Sequence, residues 1–298
     1  MAAMGVTWVR VDVDWSVIED EQGRPDWASV DPIVDEAVRR DMNVLAVLAF
    51  TPSWARPSSP GDIGAVRHAR PARLSDYATF ARTAADRYAP RGVRHWEIWN
   101  EPNLGLFWPP QPDADEYGGV FRAAAQAIRN VDPRATLLTG GLSPRYPDPD
   151  VGTSPIDFLE QLYDNGTAQL ADGIAVHPYS FPALPEEDND QTIGEFKDLP
   201  ALHDVMAGRG DGAKKLWITE FGAPTGTGPN AGSGDDQAEA FEQARRQVER
   251  WDWAGPLIYY ELVDGGTNPA ENGDNFGVLR ADLRPKPAAE QLMDDASQ

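Results

Sequence analysis

The sequence predicts an α/β chain folded as a TIM-type (β/α)8 barrel whose first strand is missing or replaced at the N-terminus. Three observations carry this expectation. Seven short apolar, β-branched or aromatic runs recur, spaced by roughly 40 residues, the length of one strand–loop–helix–loop unit. The runs are hydrophobic on both faces, as strands buried between layers of a parallel sheet must be. The 298 residues suit one such barrel and no low-complexity linker divides them, so a single domain over residues 1–298 is expected.

The strands are expected at Val6–Val13, Val44–Phe50, Val93–Trp99, Ala135–Thr139, Gly173–His177, Leu216–Glu220 and Pro256–Leu262. Between them run stripes of helical period. Val30, Ile33, Val34, Ala37 and Val38 make the first; Tyr77, Phe80, Ala81, Ala84 and Tyr88 the second; Tyr117, Phe121, Ala124, Ile128 and Val131 the third. Further helices are expected at Pro155–Asp164, Leu199–Ala207, Asp236–Trp253 and Pro287–Asp294. Pro52, Gly140, Gly141, Pro178 and Gly222 punctuate the loops that follow strands. Seven strands fall one short of a closed barrel, and the chain opens almost directly in one. A missing first unit explains both, so the visible strands stand second to eighth.

Composition narrows the function. A net charge of −22 repels nucleic acid and anionic membrane surfaces and suits a neutral substrate. The absence of cysteine excludes disulfides, thiolate metal sites and thiol nucleophiles. His68, His95 and His203 are scattered without ligand spacing, and Pro185–Asp190 is acidic but lacks the pattern of a calcium loop, so no metal or cofactor is expected. No glycine loop with lysine cradles phosphate. No run is long enough to span a bilayer, and the amino end lacks a charged region followed by an apolar one. A monomer is the simplest expectation.

The chemistry-bearing segments sit where strands end. Arg94–Asn103 reads Arg-His-Trp-Glu-Ile-Trp-Asn-Glu-Pro-Asn. Period-2 alternation places Trp96, Ile98 and Asn100 on one side and Glu97, Trp99 and Glu101 on the other. At the strand end the pleat breaks down, so Asn100 and Glu101 can both turn toward the barrel mouth. Polar groups there are costly unless used or satisfied; a bare surface turn is the alternative. The second carboxylate is Glu220 in Lys-Leu-Trp-Ile-Thr-Glu-Phe-Gly, residues Lys215–Gly222. Alone it reads as a structural residue, but it pairs with Glu101 three units earlier. The fourth and seventh strands of a barrel stand nearly opposite, both opening to the mouth where barrel active sites lie. Two carboxyls there could split a glycosidic bond with retention, provided they stand about 5–5.5 Å apart.

The Trp99-Asn-Glu-Pro102 and Thr219-Glu-Phe-Gly222 motifs resemble the large clan A of retaining glycoside hydrolases, with catalytic glutamates on those two strands. Within it the chain is most similar to family 39 and related to family 5. The resemblance implies Glu101 as acid/base, Glu220 as nucleophile and Asn100 as the partner of the sugar 2-hydroxyl. It further implies that Arg10, in Trp8–Asp14, pairs with the nucleophile. His177 and Tyr179, in Ala175-Val-His-Pro-Tyr179, match a His-x-Tyr ending, the histidine lining the sugar site and the tyrosine bonding the nucleophile. As bare residues, Arg10 also has the reading of a structural ion pair and the other two that of core with satisfied polar tips.

Aromatic residues near strand ends include Trp15, Trp54, Trp108, Phe181 and Tyr260. Sugar rings stack on aromatic faces, and Trp54, Trp108 and Tyr260 are the expected platforms. Many relatives end the eighth strand in tryptophan. Here the stretch is Leu257-Ile-Tyr-Tyr-Glu-Leu262, and Glu261 is expected to bind a sugar hydroxyl. The expected activity is hydrolysis of β-glycosidic bonds by double displacement. Its alternatives are a non-catalytic carbohydrate-binding barrel and a transglycosylase using the same glutamates. The loops Ser180–Phe196 and Ala223–Asp235 would hold specificity. Relatives acting on polysaccharides are often exported.

Overall fold

The computed structural model describes residues 1–58, 67–145, 152–187 and 192–297. Seven strands form one parallel sheet in chain order: β1 (Trp8–Asp14), β2 (Asn43–Ala49), β3 (His95–Asn100), β4 (Thr136–Gly141), β5 (Gly173–Val176), β6 (Lys215–Phe221) and β7 (Ala254–Tyr259). The helices are α1 (Trp15–Ile18), α2 (Asp31–Arg39), α3 (Leu74–Tyr88), α4 (Ala114–Val131), α5 (Pro155–Asp164), α6 (Thr167–Leu170), α7 (Leu199–Gly208), α8 (Gly234–Val248) and α9 (Pro287–Asp295). This is the (β/α)8 architecture with seven of its strands present. The sheet curls far enough for β1 and β7 to approach, yet among the described residues no ladder joins them. Every residue of β7 is accordingly part-exposed, whereas Val44–Ala49 of β2 are all buried.

Local chemistry accounts for the element boundaries. The Asp113 side chain accepts from the backbone N–H groups of Asp115 and Glu116 at the start of α4, and Ser154 accepts from Asp157 at the start of α5. Ser233 and Asp236 form a reciprocal capping box at the start of α8. That helix ends at Val248, short of the expected Trp253; the chain leaves it so that Trp251 and Trp253 can stack at 4.6 Å. The acidic stretch read as a solvated loop lies only partly in view, since Asp188–Asp190 fall outside the described residues.

Two apolar regions fill the fold. The larger lies between sheet and helices and includes Phe80, Tyr88, Phe121, Phe158 and Ile218. The smaller, Leu45, Leu138, Ala175 and Trp217 with Trp8 and Ile258, plugs the interior of the sheet near the amino ends of its strands. Trp8 meets His95 at 4.7 Å and Trp217 at 5.1 Å, edge to face. Period-2 geometry then dictates what stands above this plug. Two residues on from Trp8, His95, Ala175 and Trp217 come Arg10, Glu97, His177 and Thr219. The polar site is built directly on an aromatic floor.

Candidate active site at the carboxyl ends of the strands

Arg10 is the centre of the polar layer. Its Nε and Nη2 donate to Glu97 Oε2 at 3.1 Å and Oε1 at 2.8 Å, Nη2 also donates to Asn100 Oδ1 at 2.8 Å, and Nη1 donates to Glu220 Oε1. Glu97 is fully buried and also accepts from the Gly141 N–H at 3.1 Å. Burial works against its charge, but Arg10 and His177 outweigh that and hold the carboxyl down at about 2. Tyr179 donates its hydroxyl to Glu220 Oε2 at 2.6 Å. Both oxygens of Glu220 are therefore held, by a cation on one side and a phenol on the other.

His177 links the two glutamates. Its Nδ1 lies 2.9 Å from Glu101 Oε1 and 3.6 Å from Glu220 Oε2, and its Nε2 lies 3.1 Å from Thr219 Oγ1. Burial opposes a charge on this ring, but Glu220, Glu101 and Glu97 around it prevail and lift its pKa to about 9. The room for it comes from Gly141, where a β-carbon would stand 2.0 Å from Nε2. One donor atom each from Glu101, His177 and Glu220 lie within 4.8 Å of one another, a spacing a cation could share. Protonated, as its carboxylate neighbours favour, the ring donates to them, and a metal would have to displace that proton.

The strand end that carries Glu101 departs from regular pleating. Trp99 has φ 75° and Glu101 φ 46°, flanking Asn100. Left-handed backbone at bulky residues costs on the order of 1–3 kcal/mol each and must be held by its surroundings. Here Trp99 is turned outward, against Trp108 at 5.3 Å and Tyr77 at 6.0 Å, with its indole N–H bonded to Phe107 O at 2.8 Å. Glu97, which regular alternation would put on the same side as Trp99, points inward to Arg10. The break in the pleat brings Glu97, Asn100 and Glu101 to one mouth.

That mouth is a cleft of about 480 Å³. Asn100, Glu101 and Glu220 line its base with Arg10 and Asp12; Tyr179, Phe181, Tyr260 and Phe276 form one wall, and Phe50, Leu104, Leu106 and Phe107 belong to the other. The Asp12 side chain opens to the cleft, yet protein crowded around it raises its pKa, with Arg10 opposing and Glu220 and Glu97 adding to the shift. Of the expected site residues, the structure brings Arg10, Asn100, Glu101, Tyr179, Glu220 and Tyr260 together here.

Others stand elsewhere. His177 was expected to line the sugar site but is wholly buried beneath it, because both ring nitrogens are engaged with protein groups. Trp108, an expected platform, is 1% exposed and packed edge-on to Trp99 and Tyr117. Trp54, the other, lies off the cleft wall, its N–H bonded to Glu19 O at 2.7 Å and its ring edge-on to Trp15 at 5.4 Å. Glu261 also lies off the wall, half-buried below it; burial, Asp264 and Glu220 raise its pKa against the pull of Lys286. Glu97, Asp12, Phe50 and Phe276 were not singled out. Glu97 carried a signal, a charge inside an apolar strand; Phe276 comes from the loop after β7 and carried none.

Two glutamates at the strand ends of such a barrel are the arrangement of the clan A glycoside hydrolases that the two motifs resemble. The model of the cellulase family, glycosyl hydrolase family 5, matches residues 1–255, and the chain belongs to that family. A β-xylosidase of Geobacillus stearothermophilus is 28% identical over 127 residues, covering 39% of this chain and 24% of that protein. Among solved structures, a family 39 glycoside hydrolase from Bacteroides cellulosilyticus superposes with a TM-score of 0.78 at 21% identity, over 99% of this chain and 59% of that one. A monomeric β-xylosidase from Caulobacter crescentus gives 0.73 at 19% identity, over 99% and 62%. The chain thus spans less than two thirds of the length of these relatives. No described helix is long and apolar enough to cross a membrane.

Proposed function

We propose that this protein is a retaining β-glycosidase acting by double displacement, with Glu220 as nucleophile and Glu101 as acid/base. The observation that carries the proposal is the separation of the two carboxylates. Oxygens of Glu101 and Glu220 lie within 4.8 Å of each other, close to the 5–5.5 Å of retaining enzymes and well short of the roughly 6.5–9.5 Å that an inverting enzyme needs for an intervening water.

In the first step Glu220 attacks the anomeric carbon and Glu101 gives its proton to the departing oxygen. In the second, water enters where the leaving group was, Glu101 takes its proton, and the glycosyl ester on Glu220 is cleaved. Arg10 and Tyr179 each bond one oxygen of Glu220 and fix its rotamer. Asn100 accepts from Arg10 through Oδ1, which turns its amide N–H group outward for the sugar 2-hydroxyl. His177 hydrogen-bonds Glu101 from below and holds it in place between its two roles.

The β-xylosidase relative makes β-xylosides the first sugars to test, with β-glucosides beside them. The test follows product anomers by NMR in the first minutes of hydrolysis. The β-anomer appearing first is expected; initial α-product would exclude the mechanism. Saturable binding without product would instead favour a carbohydrate-binding barrel.

A further inference from the structure

We infer that the leaving group of the natural substrate is an apolar aglycone, alkyl or aryl, rather than a second sugar. The inference rests on Glu101 being the acid, because the acid must sit beside the departing oxygen. The leaving group then lies against whatever flanks Glu101, and the chain directly after it forms that wall. Leu104 N–H donates to Glu101 O at 3.0 Å, and the N–H groups of Phe107 and Trp108 return to Leu104 O at 3.0 and 2.9 Å. This coil places Leu104, Leu106 and Phe107 on the cleft surface. It is pinned by the His68 ring on Leu106 O at 2.8 Å and the Trp99 N–H on Phe107 O at 2.8 Å.

Leu106 is 65% exposed, the most exposed large apolar side chain among the described residues. An apolar group held in water at a cleft rim, by backbone bonds that do not need it, is what an apolar ligand would cover. A sugar in the same place would ask for two things. It needs an aromatic face, but the rings here are packed on one another: His68 lies 4.6 Å from Phe50 and 4.7 Å from Phe107, and the Arg67 guanidinium sits 4.7 Å over Phe50. It also needs hydrogen-bond partners for its hydroxyls. Among the described lining residues on this side these are Arg67, half-exposed and bonded to Asp14 and His68 at 3.1 Å each, and Ser143, which is 7% exposed. Polar recognition is concentrated instead on Tyr179 and Tyr260 of the opposite wall and on Asn100 and Arg10 in the base.

The test is a series of alkyl β-D-xylopyranosides and β-D-glucopyranosides from methyl to octyl, compared with xylobiose and cellobiose. Alkyl alcohols leave with nearly equal ease, so chain length reports contact alone. We expect kcat/KM to climb by up to about fourfold per methylene over the first carbons, with the octyl glycosides above the disaccharides. A flat series, or disaccharides above every alkyl glycoside, overturns the inference. Leu106→Asn should lower the octyl-to-methyl ratio severalfold, and because it is a ratio, partial misfolding does not mimic the result; an unchanged ratio counts against the wall. Calorimetric titration of the same glycosides separates the two levels. Binding that tightens with chain length but without turnover sinks the hydrolase reading and keeps the apolar wall, whereas neither binding nor turnover sinks both.

Discussion

Arg10 grips Glu97 at two points, Nε and Nη2 each donating to a different carboxylate oxygen, and this leaves Nη1 for Glu220. The grip sets the position of the third nitrogen. A guanidinium held by one carboxylate presents its remaining edge to the next, so Glu97 positions Arg10 and Arg10 positions Glu220.

Glu97→Leu should therefore fail twice. Glu97 is fully buried and the Arg10 side chain is 9% exposed, so removing the anion leaves a buried cation with too few partners, at a cost of about 3–5 kcal/mol. Urea denaturation reads that cost. Glu97→Gln retains an acceptor and should recover part of the stability but less of kcat, since a neutral amide lets Arg10 lean toward Glu220. Equal losses of stability and rate in both variants would count against a positioning role.

His177 makes stability depend on pH at the alkaline side. Burial disfavours its charge, yet the surrounding carboxylates lift it to about 9, above the roughly 6.5 of an unfolded histidine. A group raised in the folded state contributes fully below its unfolded pKa and loses that contribution as pH rises through its folded one. Unfolding free energy should fall between about pH 6.5 and 9. His177→Asn should flatten that slope. An NMR titration placing the ring near 6.5 would refute the assignment.

Tyr179 offers a cleaner probe of Glu220, because Tyr179→Phe removes one hydroxyl and no volume. Its bond to the Glu220 carboxylate is 2.6 Å, and bonds to charged groups contribute about 1.5–3 kcal/mol. A loss of roughly 10- to 100-fold in kcat/KM is expected, with far-UV circular dichroism unchanged. Retention of full activity would mean that Arg10 alone suffices to hold Glu220.

Glu101→Ala tests the proposed division of roles between acid and nucleophile. Removing a general acid costs about 10²–10⁴-fold, but only where the leaving oxygen needs a proton. Alkyl β-glycosides should suffer the full loss, while cleavage of the glycosidic bond in dinitrophenyl β-glycosides, whose leaving group departs unaided, should be nearly unaffected. Equal losses on both substrates would move the acid role to another residue.

What was legible in the sequence follows from where each residue sits. Glu101, Glu220, Arg10 and Tyr179 belong to apolar strands or their immediate ends, where a polar side chain stands out; period-2 geometry says which way Arg10 points, while Glu101 lies past the break in the pleat. The seven-strand count was legible for the same reason. The reversal at Trp99 was foreseen only as a loss of pleat; the left-handed φ that turns Trp99 outward while Glu97 faces Arg10 depends on the packing of Trp108 and Tyr77. Phe50 and Phe276 reach the cleft through strand-end and loop conformation, and loops carry no period to read.

The tryptophans show the limit of composition most clearly, and Trp108 converts it into a measurement. An aromatic ring beside a strand end serves as sugar platform or as packing according to which face is covered, and sequence does not record faces. Trp108 is 1% exposed between Trp99 and Tyr117, behind the left-handed turn that orients Glu101. Trp108→Ala should cost about 3–5 kcal/mol of stability through the cavity it opens. Its kinetic effect should fall on kcat, as Trp99 relaxes and Glu101 drifts, while KM for a methyl β-glycoside stays near its original value. A platform would behave in the opposite way, with KM rising and stability barely changed, so the two readings are separated by one denaturation curve and one saturation curve on the same variant.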